Sequence, residues 1–335
     1  MQQGWSRHVA WRAFWICIAV AVVTTVFVAS LIVKTGQIAR ARNSLIARVG
    51  VPADFQSSKL HYPAGFMTER GNIPIYYRKL ADRILAPYRH AGDLAEALAI
   101  ARYLKSGPPS NGDAIHSNLR TTLQLILHGG RGYCSDYREA FTALAVAGGL
   151  PVVPWGMSFY NFTGDGHAFN EIYDFKLRHW VMIDSYNSLY FVDSKTGQPL
   201  SILELRKLLI HGAIADIRVK HIVPAAFGFR SDQQALNYYS RGMNELFLID
   251  GDNVFTYDGN PVTHFLLRIS RALAQGYAIA DGFYPAMLIY PTRTNAQAIA
   301  LLMRLRTLLL VAAMVGGAAV IAGLGIGIFL YRTRE

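Results

Sequence analysis

Two uncharged stretches at opposite ends of the chain set the first limit on how it folds. From Ala13 to Val33 no charged side chain occurs, and as a helix the stretch would measure about 32 Å, close to the hydrocarbon thickness of a bilayer. From Thr307 to Tyr331 a second uncharged run, bounded by Arg306 and Arg332, is also long enough to cross. A cleavable leader has a shorter apolar core and ends in small residues, whereas Val28-Ala29-Ser30 is followed at once by Leu31-Ile32-Val33. The first run is therefore expected to be a retained anchor. The chain then divides into a tail (1–12), a span (13–33), a membrane-proximal linker (34–70), a main domain (71–245), a C-terminal extension (246–306), a second span (307–331) and a tail (332–335).

Two crossings put both termini on one side of the bilayer and the region between the spans on the other. Basic residues do not assign the sides. Arg7 and Arg12 face Lys34, Arg40, Arg42 and Arg48 across the first span, Arg304 and Arg306 face Arg332 and Arg334 across the second, and long translocated domains escape the positive-inside rule. In the second span Gly316, Gly323 and Gly327 fall on one helical face, where a partner helix, such as one from another membrane protein, would approach closely.

The chain has 33 Lys and Arg against 22 Asp and Glu; without the charged residues of the two tails the balance is 29 to 21. That surplus suits anionic lipid headgroups or an acidic polymer. Nucleic acid is not the expected partner, because the basic residues are scattered and no nucleic-acid motif accompanies them. Only two cysteines occur, Cys17 in the first span and Cys134 in the main domain, so the main domain has no internal disulfide and Cys134 is a lone thiol.

The linker, interrupted by Pro52, Pro63 and Gly65, has room for one short helix. Leu94, Ala97, Leu98, Ala101 and Leu104 predict a helix over 93–105, and Leu119, Leu123, Ile126 and Leu127 one over 113–128 with Gly129-Gly130 as its stop. A third helix is predicted from Tyr133 to Ala147, closed by Gly148-Gly149, and a strand from Leu150 to Met157. The runs 168–173 and 179–183, separated by a polar turn, predict a β-hairpin, and 202–211 a helix. Asp250-Gly251 and Asp258-Gly259, lying between apolar pieces, predict hairpin turns. A calcium loop starting at Asp250 fails, because Val254 and Pro261 stand where ligands are needed.

Cys134 is expected in the first turn of its helix, where unpaired N–H groups favour a thiolate. His167, at the start of a predicted strand after Gly164-Asp165-Gly166, is placed to act as base. Asp184 ends the next strand of the same hairpin and is placed to orient that histidine. Each residue alone fits an ordinary structural role; their order and context join them. No two histidines show H-x-x-x-H spacing and Cys134 has no nearby cysteine, which disfavours a metal hydrolase.

Gly132-Tyr133-Cys134-Ser135-Asp136-Tyr137, Ala140-Phe141-x-x-Leu144-Ala145-x-x-Gly148-Gly149-Leu150-Pro151, Gly166-His167-Ala168-Phe169-Asn170-Glu171-Ile172-Tyr173 and Trp180-Val181-Met182-Ile183-Asp184 together resemble the bacterial transglutaminase-like core over roughly 119–190. The resemblance implies an α+β, papain-like fold, with a cysteine-bearing helix packed on an antiparallel sheet and here flanked by two transmembrane helices. It implies Cys134 as nucleophile, His167 as base and then acid, and Asp184 as orienter, with no cofactor and no metal. Phe169 stands where the family often has Trp, and Ser185 where Pro is frequent. No Trp lies between Trp15 and Cys134 to serve as the upstream oxyanion donor of animal transglutaminases, which leaves the Cys134 N–H with Gln124 or Trp155 as candidates for the second donor.

The expected function is therefore a membrane-anchored thiol enzyme that cleaves or transfers an acyl or amide group through a thioester. Its expected substrate is a protein, peptide or cell-envelope polymer. The expected location is the bacterial inner membrane with the catalytic domain facing the periplasm, an orientation that follows family habit. The alternative is a non-catalytic envelope scaffold or binding module; the intact triad argues against it.

Overall fold

The computed structural model describes residues 2–34, 38–50, 62, 65–113, 115 and 117–333. In chain order the helices are α1 (Gln2–Lys34), α2 (Ile38–Ile46), α3 (Ile75–Leu85), α4 (Asp93–Leu104), α5 (Leu119–Gly129), α6 (Cys134–Gly148), α7 (Ile202–Ile210), α8 (Asp232–Gly242), α9 (Val254–Gly259), α10 (Pro261–Ile269), α11 (Arg271–Ala280) and α12 (Ala296–Arg332). The strands are β1 (Ala47–Val49), β2 (Val152–Ser158), β3 (Gly166–Asp174), β4 (His179–Asp184), β5 (Leu189–Asp193), β6 (Ile217–His221), β7 (Leu246–Asp250) and β8 (Ala286–Ile289). Two compact units result, Met1–Leu45 with Gln297–Glu335, and Ile46–Ala296. Pro52 and Pro63 of the predicted linker lie outside the described residues.

The first unit contains two helices long and apolar enough to cross a membrane, within Arg7–Leu31 and Ala296–Arg332. The glycine face of α12 meets α1 of the same chain. A Cβ on Gly316 would lie 2.8 Å from Thr24 Oγ1, one on Gly323 3.4 Å from Cys17 Cβ and one on Gly327 3.5 Å from the Phe14 ring. The close approach expected from these glycines is thus met within the chain.

The second unit is α+β. Its sheet has eight strands in the order β1-β8-β7-β2-β3-β4-β5-β6, and every pairing is antiparallel except β1 with β8. On one face Leu85, Ile100, Leu104, Leu123, Phe141 and Leu144, from α3 to α6, close over Val152, Ile172, Val181 and Ile183. On the other, Ile202 and Leu205 of α7 and Leu236 and Tyr239 of α8 close over Val153, Trp155, Phe169, Met182 and Phe191. Cover on both faces explains why Trp180-Val181-Met182-Ile183 is apolar without alternation: each side chain enters one of two cores.

The predicted helix over 93–105 is α4, and the helix predicted from Asp113 begins instead at Leu119. Asn118 caps α5, its side chain accepting from Thr121 N–H at 2.9 Å, which sets the later start. The hairpins expected at Asp250-Gly251 and Asp258-Gly259 do not form. β7 pairs with β2 and β8, Asp250-Gly251 leads from it toward α9, and Asp258-Gly259 ends that helix. Asn260 then caps α10 through Val262 and Thr263 N–H, with Pro261 at the first helical position. This is a helix start that outcompetes a turn.

Candidate active site

Cys134 opens α6. Tyr133 caps the helix from extended backbone, and the Asp136 carboxylate turns back to accept from Tyr133 N–H at 2.7 Å. The positive end of the helix dipole at that first turn favours negative charge at Cys134. The incoming chain is clamped: Ser110 Oγ donates to the Gly132 carbonyl at 2.5 Å, Gly132 N–H to Asp113 and Asn111 N–H to Gly130, both at 2.8 Å. Gly132 adopts φ +115°, and a Cβ there would press on the Tyr137 ring at 3.2 Å, so glycine is required.

β3 and β4 supply the partners. Their register, Asn170 opposite Ile183, sets Asp184 diagonal to His167 on one sheet face. His167 Nε2 lies 2.5 Å from Asp184 Oδ2, and His167 also hydrogen-bonds Cys134; with Nε2 engaged by Asp184, Nδ1 is the nitrogen left for sulfur. Burial pushes the Cys134 thiol up, but the His167 charge and hydrogen bond together with Ala168 N–H outweigh it, and the thiol sits below its ordinary value. Burial would lower His167; Asp184 and Cys134 reverse that and raise it to about 10. Each group thus favours the charged form of the other.

Asp184 is fully buried and remains ionised because donors converge on it. Burial alone would raise it; His167, Tyr239 and Asn187 N–H hold it below its usual value. Asn187 gives its N–H to Oδ1 at 2.9 Å and its amide to Oδ2 at 2.8 Å, and the Tyr239 hydroxyl donates to Oδ2. Sequence reasoning missed both residues. Asn187 lies three residues past Asp184 in a turn, a local signal, whereas Tyr239 arrives on α8 from the far core. Lys105, next after α4, places Nζ 4.2 Å from the Tyr137 ring centre and 5.1 Å from that of Tyr186. Burial lowers its amine to about 8, with Asp184 pulling the other way.

The two oxyanion candidates do not join this constellation. Gln124 is exposed on α5, on the side opposite Leu123 and Ile126. Trp155 is fully buried in the second core and its indole N–H donates to Glu171 at 2.5 Å, so that donor is already used. Glu171 also accepts from Ile202 N–H at 2.6 Å. Burial outweighs these bonds and raises its pKa from 4.5 to about 7. The folded state therefore binds this proton more tightly than the unfolded chain, and stability falls as pH rises from 4.5 toward about 7. Glu171→Gln is expected to flatten that slope, worth at most about 3 kcal/mol, in urea unfolding followed across the window; an unchanged slope would remove Glu171 as its source.

Residues 78–185 match the family model of the transglutaminase-like superfamily, a window that contains Cys134, His167 and Asp184. No curated protein and no solved structure matches the chain. The antiparallel sheet, the cysteine-headed helix packed on it and the family match agree: the chain carries a transglutaminase-like superfamily domain.

Proposed function

We propose that the protein is a membrane-tethered thiol enzyme that cleaves or transfers an acyl or amide group through Cys134, His167 and Asp184. The observation that carries this reading is the line of contacts from half-buried Cys134 to buried His167 and Asp184, with the thiol lowered and the imidazole raised. Cys134 attacks the carbonyl carbon, and the leaving amine takes its proton from the His167 imidazolium. The resulting thioester is resolved by water or an amine, which gives up its proton to His167. The Cys134 N–H supplies one hydrogen bond to the oxyanion.

The substrate is a protein, peptide or polymer of the cell envelope, within reach of a domain held by two spans in a bacterial inner membrane, with the domain on the outer side. Two apolar helices and the basic surplus of the intervening region support the location. A reporter fused after Arg334 tests orientation: cytoplasmic signal is expected, and a signal from the far side reverses the topology.

The chemistry is tested by the pH dependence of Cys134 alkylation in a Cys17→Ala background. The expected midpoint lies below the ordinary thiol value of about 8.5 and moves above it in His167→Ala, where only the Ala168 N–H is left to oppose burial. An ordinary profile that is indifferent to His167 would refute the proposal.

A further inference from the structure

The helical pair α10–α11 sorts its side chains the wrong way round for a domain surrounded by water. Its buried positions hold small residues, Thr263, Ala274 and Ala278. Leu266, Leu267 and Ile279 are half-buried, but four large apolar residues face outward: Val262 is 43% exposed, Phe265 62%, Ile269 61% and Leu273 52%. Single exposed apolar residues are ordinary, but four on consecutive turns of one helical pair mark a surface that something covers.

Charge identifies the cover. Asp258 and Asp281 flank the pair, and between them the only ionisable side chains besides Tyr277 are His264, Arg268 and Arg271. His264 and Arg268, one helical turn apart, line a depression of about 470 Å³ beside Phe265. Asp258 also lines it, but its carboxylate accepts from Leu119 N–H at 2.6 Å at the start of α5. An apolar ridge with the Arg268 guanidinium beside it, and with the one neighbouring carboxylate turned to the Leu119 N–H, matches the boundary of an anionic bilayer, with acyl chains meeting the ridge and phosphates meeting the guanidinium.

We infer that α10 and α11 lie in the headgroup layer of an anionic phospholipid membrane, Phe265 and Ile269 entering the acyl boundary while Arg268 holds a lipid phosphate. This is a contact additional to the two spans and rests on the membrane-anchored reading above. It gives the Ile46–Ala296 unit its own lipid-facing surface, independent of the apolar helices.

The full chain, with Cys17→Ala and Cys134→Ala, is reconstituted in nanodiscs of phosphatidylcholine with phosphatidylglycerol and carries one nitroxide at a time. The labels are attached through Phe265→Cys, Ile269→Cys, Gln233→Cys as an exposed reference on α8 and Ile321→Cys within α12. Power saturation reads accessibility to oxygen against a water-soluble nickel chelate. The oxygen-to-nickel ratio at 265 and 269 is expected to exceed that at 233 severalfold and to fall in nanodiscs of phosphatidylcholine alone or with Arg268→Gln. A ratio at 265 and 269 equal to that at 233, with 321 still in lipid, overturns the inference and leaves the spans standing. Water-like accessibility at 321 overturns the span reading itself. Shielding of 265 from both reagents with spin–spin broadening identifies a second copy as the cover and also overturns the inference.

Discussion

Asp184→Asn is expected to slow acylation of Cys134 by an activated ester by on the order of 10⁴, while the domain still folds. The Asp184 carboxylate accepts from His167, from Tyr239 and twice from Asn187. An amide has one acceptor oxygen, so its NH₂ must face a donor. His167 relieves the clash by taking the tautomer whose Nε2 accepts from that amide. Nδ1 then carries the hydrogen toward sulfur and cannot take the thiol proton. The charge that raises His167 is lost as well, so the alkylation profile of Cys134 should move to higher pH. Tyr239→Phe removes one donor and keeps the charge, and its cost should stay within about 1–2 kcal/mol. An Asp184→Asn rate within tenfold of the parent, measured by burst release from a chromogenic ester, would show that Asp184 does not orient the base.

The second large effect concerns stability. Arg138, one turn along α6 from Cys134, pairs Nη1 with Asp252 Oδ2 at 2.6 Å, and both side chains are buried. Asp252→Ala should destabilise the domain by about 3–5 kcal/mol, because the guanidinium is left in the core without its counter-charge. Glu139 is a weak substitute, 3.9 Å from Nη2 and 40% exposed, where water screens it. Arg138→Met combined with Asp252→Leu removes both charges and should recover most of the loss. Thermal unfolding of Arg138→Met, Asp252→Leu and the double variant in detergent gives the coupling. Additive losses would mean that the pair does not act as a unit.

The three candidate catalytic residues were legible because each is positioned by structure close in sequence. Cys134 follows a cap and precedes an amphipathic run, and His167 and Asp184 share one hairpin whose turn fixes their register. What escaped depends on distant partners. Tyr239 reaches Asp184 across 55 positions, and Asp252 reaches Arg138 from the segment after β7. Trp155 was weighed as a donor from residue type alone; its place in the second core and its bond to Glu171 require knowing which face of β2 it occupies. The hairpins were misread because Asp-Gly was taken ahead of Asn260-Pro261, a helix start visible in the same few residues. β1, three residues long, carries too little local pattern to show that it joins a sheet.

That short strand bears on the order in which the domain is made. β1 leaves the ribosome before the rest of its unit, but among the described residues its ladder is with β8, Ala47 opposite Met287, so it waits for nearly the whole unit to be synthesised. Until β8 emerges, the β7 edge is open, with Phe247, Leu248 and Ile249 ready to pair with another chain. Closing so long a loop is a late, slow event. The interval before it is when the nascent protein is most exposed to aggregation and to proteases.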